Sequence, residues 1–229
     1  TDRISDYHGI QRAGQRRYHI PEEINMIRNI VFDIGNVLAD FCWREHIQGM
    51  GFQGETAKRL GKAMMQSLVW NELDRGVWTN EELLNGFIAN DPGLEQEIRT
   101  VFSDLSTLVK EKKGSLPWIR SLKAEGYRVY YLSNFSERVK QEAAAELSFL
   151  KEMDGGIMSY AVREIKPAPA IYRMLMEKYG LLAEESVFLD DTEANVDTAR
   201  RLGMYGIHVR DAEQAKQELI RLLEGDKMP

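Results

Sequence analysis

The sequence is poor in cysteine, in long apolar runs and in net positive charge, and each shortage removes a class of function. Cys42 is its one cysteine, so neither a disulfide framework nor a cysteine-built zinc site can exist. No apolar run approaches the roughly 20 residues of a membrane span. The start has no basic segment leading into an apolar stretch and a cleavage site. A soluble, cytoplasmic chain without a membrane partner is therefore expected. Lys+Arg number 30 against Asp+Glu 36, a net charge of -6. A polyanion is repelled on balance, so nucleic acid is not an expected partner. What is present is a 229-residue chain that is 43% hydrophobic, enough to bury a core and to make one domain carrying a smaller insert.

Residues 1–28 read as an N-terminal appendage: Arg3, Arg12, Arg16 and Arg17 alternate with Gly9, Gly14 and Pro21, and no apolar period persists. A solvated tail is the expectation. Order begins at Asn29-Ile30-Val31-Phe32-Asp33, a short apolar run ending in an acid, which predicts a buried strand entering a tight loop. Residues 43–113 carry helical signals and no clear strand. Thr79 and Glu82 form a capping box, and Asp91-Pro92 reads as another helix start. Met64, Met65 and Leu68 read as packing residues. From Ser115 onward, helices alternate with the strands Val129–Leu132, Ile157-Met158, Val187–Leu189 and Ile207–Val209. One of those helices is expected over residues 136–147. Such alternation predicts an α/β fold, a doubly wound parallel sheet covered on both faces. The expected core is 29–42 with 114–229, and 43–113 is an all-helical insert after the first strand.

Asp33, Ser133 and Asp190-Asp191 each end an apolar strand, and Lys166 opens a helix after a strand-like segment. In an open parallel sheet the carboxyl ends of strands line the ligand crevice. Three carboxylates and one ammonium converging there suggest a divalent cation together with a phosphate.

That order resembles the haloacid dehalogenase superfamily, most of whose members are phosphatases. Ile30–Val37 resembles its nucleophile loop, Tyr131–Asn134 its Ser/Thr strand end, Lys166-Pro167 its lysine motif, and Val187–Thr192 with Asn195 its acidic motif. The resemblance spans residues 29–211, including a helical cap after the nucleophile loop. The Phe-Asp-x-Gly-Asn-Val form further resembles a subgroup that includes bacterial sugar-phosphate phosphatases such as glucose-1-phosphate phosphatase. What the resemblance implies is a magnesium-dependent phosphatase acting on a small phosphorylated metabolite, such as a sugar phosphate. In that mechanism Asp33 attacks phosphorus and forms an aspartyl-phosphate. Mg2+ is held by Asp33, the Gly35 carbonyl, Asp191 and Asp190, with Thr192 and Asn195 orienting these ligands. Ser133, Asn134 and Lys166 grip the phosphoryl oxygens.

One position departs from the pattern. Most such phosphatases carry a second aspartate two residues after the nucleophile as general acid and base, and here that residue is Gly35. Losing a placed acid/base group costs on the order of 10²- to 10⁴-fold. A better leaving group, a substrate or water relay, or a nearby Asp40, Glu45 or His46 could compensate. Three other readings compete: a dehalogenase, a phosphonate hydrolase, and a non-catalytic protein that binds a phosphorylated ligand or a partner. Cys42 reads as a small buried apolar residue and His208 as a satisfied strand histidine. Trp70, Arg75 and Trp78 read as helix-packing residues of the insert.

Overall fold

A computed structural model describes residues 26–225. Arg3, Arg12, Arg16 and Arg17 lie outside them. The expected appendage ends before its last residues: Ile27 is buried, and Arg28 bonds through its N–H to the Glu185 carbonyl and through its carbonyl to the Arg128 N–H.

Among the described residues the sheet has five parallel strands in the order β5-β4-β1-β6-β7. They are β1 (Asn29–Phe32), β4 (Arg128–Ser133), β5 (Gly155–Met158), β6 (Ser186–Asp190) and β7 (Tyr205–His208). Helices cover both faces, so β1 is buried along its whole length and shows no polar alternation. The two-residue period instead divides its apolar side chains between two cores. Ile30 and Phe32 join the core containing Ile119 of α6 (Ser115–Ala124) and Leu219 of α11 (Ala212–Leu223). Val31 joins Ile171 and Leu175 of α9 (Pro169–Tyr179) and Ala199 of α10 (Glu193–Arg201). The chain runs outward from β1 through β4 to β5, then returns to β1's other side for β6 and β7. Strand order thus reverses at β1, which sets the ligand crevice at its carboxyl end.

Residues 43–103 hold five α-helices, α1 (Trp43–Gly49), α2 (Gly54–Ala63), α3 (Leu68–Arg75), α4 (Asn80–Asn90) and α5 (Glu95–Ser103). The capping box at Thr79 and Glu82 opens α4. Asp91-Pro92 starts a short 3-10 turn before α5, with Asp91 at its N-cap position and Pro92 first in the turn, but the Asp91 carboxylate makes no capping bond and pairs with Arg59 at 2.6 Å. Met64 and Met65 are buried, whereas Leu68 is exposed. A strand unmarked in the sequence closes the insert: β3 (Val109–Glu111) pairs antiparallel with β2 (Ala39–Phe41). Three residues are too few for a period to show. The helix expected over 136–147 is shorter, with α7 at Glu137–Glu142 followed by a 3-10 stretch over Ala144–Glu152.

β4 and β5 approach closely at Gly156. A Cβ added there would overlap both the ring and the carbonyl oxygen of Tyr131. Backbone cannot give way as a flexible side chain does, so Gly156→Ala is expected to cost about 2–3 kcal/mol and to lower Tm by about 5–10 °C in a thermal melt. An unchanged melt would show that β5 can shift away from β4.

Candidate active site

Asp33 leaves β1 with its N–H bonded to the Leu189 carbonyl of β6 at 2.8 Å. Its Oδ1 accepts from the Ile34 N–H at 2.7 Å, the Ser133 hydroxyl at 2.6 Å and the Lys166 ammonium at 2.8 Å. No hydrogen bond among the described residues falls on Oδ2. Lys166 Nζ also donates to Asp190 Oδ2 at 2.6 Å. Asp190 is fully buried and further receives the Thr192 N–H at 2.8 Å and the Asn195 amide at 3.0 Å. Carboxylate oxygens of Asp33, Asp190 and Asp191 lie within 4.8 Å of one another. The structure therefore brings Asp33, Ser133, Lys166, Asp190 and Asp191 together from four separate stretches of chain.

A single ammonium against three carboxylates leaves a net negative site, and the groups register it. Burial raises the Asp33 carboxyl to about 6; Lys166 opposes that rise and Asp190 adds to it. Burial works against the Lys166 ammonium, but Asp190 and Asp33 outweigh it and hold the lysine protonated. Buried charges persist only when paired or bound to metal, so the donor set fits a hard divalent cation with oxygen ligands.

The remaining residues chiefly hold this cluster in place. Asn134 accepts from the Lys166 N–H at 2.7 Å and donates to the Lys166 carbonyl at 3.0 Å, which fixes the lysine's backbone. Asn195 is itself held by the Tyr172 hydroxyl, which donates to its carbonyl at 2.9 Å. The Thr192 hydroxyl reaches Asp191 at 3.4 Å. His208, on β7, meets the Asp191 carbonyl at 3.0 Å.

Two residues were not singled out from the sequence. Asn36 takes a left-handed backbone with φ 56° and donates to Asp191 Oδ2 at 2.9 Å, tying the loop after Asp33 to the loop after β6. The pairing of Asn36 with Gly35 was its only local signal. Asp74, near the end of α3, faces the same cavity as Asp33. Burial chiefly pushes its carboxyl up to about 8, with Asp33 adding and Lys166 opposing. Its signal was its spacing: Trp70 and Asp74 are four apart and share a helix face.

The cavity measures about 220 Å³. Phe41, Trp70 and Val109 give it an apolar wall, and no Lys, Arg or His is among its described lining residues. Trp70 packs at a tilt against Phe41 and Phe87 while also lining the cavity. The insert is anchored beside the site. The Ser159 hydroxyl donates to the Asp74 carbonyl at 2.6 Å, and Arg75 pairs with Glu164 at 3.1 Å. Asp40 lines the cavity, exposed and paired with Lys112 at 3.4 Å. Glu45 and His46 do not line it; His46 is buried, bonded to the Thr107 hydroxyl at 2.7 Å, and burial lowers its pKa. Cys42 is half-buried rather than buried, and desolvation, with Glu45 and Asp40 adding to it, raises its thiol.

Comparison with known proteins matches residues 27–203 to haloacid dehalogenase-like hydrolases. A D-ribitol-5-phosphate phosphatase of Bacteroides thetaiotaomicron is 27% identical over 208 residues, covering 86% of this chain and 99% of that protein. A sesquiterpene phosphatase of Aspergillus oryzae is 26% identical over 196 residues, covering 84% and 95% respectively. Among solved structures, a HAD family enzyme from B. thetaiotaomicron, in complex with magnesium and inorganic phosphate, superposes with a TM-score of 0.61. It is 22% identical and covers 79% of this chain and 93% of that one.

Proposed function

Because the chain belongs to the haloacid dehalogenase-like hydrolases, we propose that it is a magnesium-dependent phosphatase removing one phosphate from a small metabolite through an aspartyl-phosphate on Asp33. The observation that carries this reading is the cluster of Asp33, Asp190 and Asp191 within 4.8 Å, bridged by the buried Lys166. Both curated relatives described above are named phosphatases, and a structural neighbour was solved with magnesium and phosphate.

The residues divide the work. Ser133, Lys166 and the Ile34 N–H all hold Asp33 Oδ1, which fixes the carboxylate and leaves Oδ2 without a donor among the described residues. The carboxylate attacks phosphorus in line and the P–O bond to the leaving alcohol breaks. Water then attacks the same phosphorus, the acyl-phosphate P–O bond breaks, and Asp33 and inorganic phosphate are released. Asp33, Asp191, Asp190 and the Gly35 carbonyl would hold Mg2+, which when bound neutralises the phosphoryl oxygens' charge. The third ammonium hydrogen of Lys166 and the free amide hydrogen of Asn134 are donors for those oxygens, and Ser133 joins them when its one hydroxyl hydrogen turns from Asp33 Oδ1 to a phosphoryl oxygen.

The leaving group meets Phe41, Trp70 and Val109 and no cationic side chain among the described lining residues. A neutral remainder, such as a sugar or polyol carrying a single phosphate, suits that wall; a second anionic group has no partner there.

Hydrolysis of p-nitrophenyl phosphate, a panel of small monophosphates and their bisphosphate analogues tests the reading. Phosphate release that needs Mg2+, stops with EDTA and favours monophosphates is expected. Release from no monoester, or chloride release from a 2-chloro acid instead, would overturn it.

A further inference from the structure

We propose that Asp74, carried by helix α3 of the insert, is the proton donor to the leaving alcohol and the proton acceptor for the attacking water, the task that Gly35 leaves unfilled. This rests on the phosphatase reading and adds a residue to it. As the P–O bond to the substrate breaks, the Asp74 carboxyl gives its proton to the departing oxygen and becomes a carboxylate. When water attacks the aspartyl-phosphate, that carboxylate takes the water's proton, so Asp74 ends the cycle as it began it.

Four observations place the task on this residue. At Gly35 an added Cβ would meet nothing within 4 Å, so no neighbouring group has moved in to replace the absent side chain. Asp74 lines the cavity that contains Asp33. Asp33, Asp190 and Asp191 all accept hydrogen bonds, whereas none among the described residues engages the Asp74 carboxyl, which leaves it free to meet a ligand. Its backbone is fixed nonetheless. The Ser159 hydroxyl holds its carbonyl at 2.6 Å, Arg75 pairs with Glu164, and Gly76 ends α3 against Tyr160.

The charged groups that act on Asp74 from elsewhere are Asp33 and Lys166, and Asp40 and Asp191 share the cavity. Burial and the Asp33 charge favour its protonated form at neutral pH, the form that a general acid needs. The alternatives are less suited. Asp40 is exposed and paired with Lys112, while Glu45 and His46 do not line the cavity.

The test compares kcat/KM on an alkyl phosphate with kcat/KM on 2,4-dinitrophenyl phosphate, whose phenolate departs without a proton. Asp74→Asn is expected to lose about 10²- to 10⁴-fold on the alkyl ester and far less on the dinitrophenyl ester. Asp40→Asn is expected to affect both substrates alike. Should Asp74→Asn fail to fold, Asp74→Glu keeps the carboxyl but misplaces it, and the same bias against the alkyl ester is expected. Equal losses on both esters, no loss on the alkyl ester, or the bias in Asp40→Asn instead would overturn the assignment to Asp74 and leave the phosphatase reading intact. Wild-type protein that hydrolyses neither ester with magnesium would overturn both.

Discussion

Asp33→Asn is expected to remove phosphatase turnover by at least about 10⁴-fold and, in the same protein, to raise the melting temperature measured without metal. The two effects share a cause. Asp33 is buried beside Asp190 and its carboxyl is raised from 3.8 to about 6, so the folded state binds its proton more tightly than the unfolded chain. For an acid raised in this way, stability is lost as pH rises, here from about 4 through about 6. An asparagine is isosteric, can still accept from Ser133 and Lys166 through its carbonyl oxygen, and carries no charge to bury. The expected gain at pH 7 is on the order of 1–3 kcal/mol, or several degrees of Tm. Magnesium should reverse the order: it stabilises the wild type by binding the native carboxylates and stabilises the variant less. Melts with EDTA and with magnesium, at pH 5 and pH 7.5, check all of this. A variant less stable than wild type in EDTA at pH 7.5 would show that Lys166 already neutralises the site.

Lys166→Met carries the second large effect, in the opposite direction. The ammonium is 1% exposed and joins Asp33 at 2.8 Å to Asp190 at 2.6 Å. Methionine fills a similar volume and leaves two buried carboxylates facing one another. Removing one partner of a buried ion pair costs about 3–5 kcal/mol, which corresponds to a Tm fall on the order of 10 °C for a chain of this size. Without the lysine the carboxylates protonate more readily, so the deficit should shrink as pH falls toward 5. Adding Asp33→Asn to Lys166→Met should recover part of it, because one of the two stranded charges is then gone. A Lys166→Met protein that melts like wild type, with no dependence on pH, would mean that water reaches Asp190 and that the pair is not buried in solution.

Much of this site was legible in the sequence because its residues sit at strand ends. An apolar run such as Ile30-Val31-Phe32 followed by an acid needs no tertiary information, and parallel strands must deliver their carboxyl ends to one rim. Ser133, Asp190 and Asp191 were readable on the same ground, whereas Lys166, expected to open a helix, sits in a turn ahead of α9, which starts at Pro169 after the N-cap Ala168. The illegible parts depend on docking. Asp74 shares a helix face with Trp70, but the α3 sequence does not say which face looks toward Asp33. That was decided by contacts such as Ser159 with the Asp74 carbonyl and Arg75 with Glu164, between residues far apart in the chain. β3 escaped notice because Val109–Glu111 is too short to alternate visibly. Helix α7 stops early where Ala143 takes φ -100° and ψ 26° and the chain tightens to 3-10 turns, a change that composition does not mark. Asp91-Pro92 does open a helical turn, but the Asp91 side chain is drawn into an ion pair because Arg59 of α2 packs beside it.

The aspartyl-phosphate on Asp33 is tested most directly by a single-turnover reaction on radiolabelled phosphomonoester with magnesium, quenched in acid within the first turnover, digested and mapped. Label is expected on the one peptide containing Asp33, appearing before free phosphate, absent with EDTA and absent in Asp33→Asn. Full turnover with no labelled peptide at any quench time, or label on a peptide lacking Asp33, would contradict it.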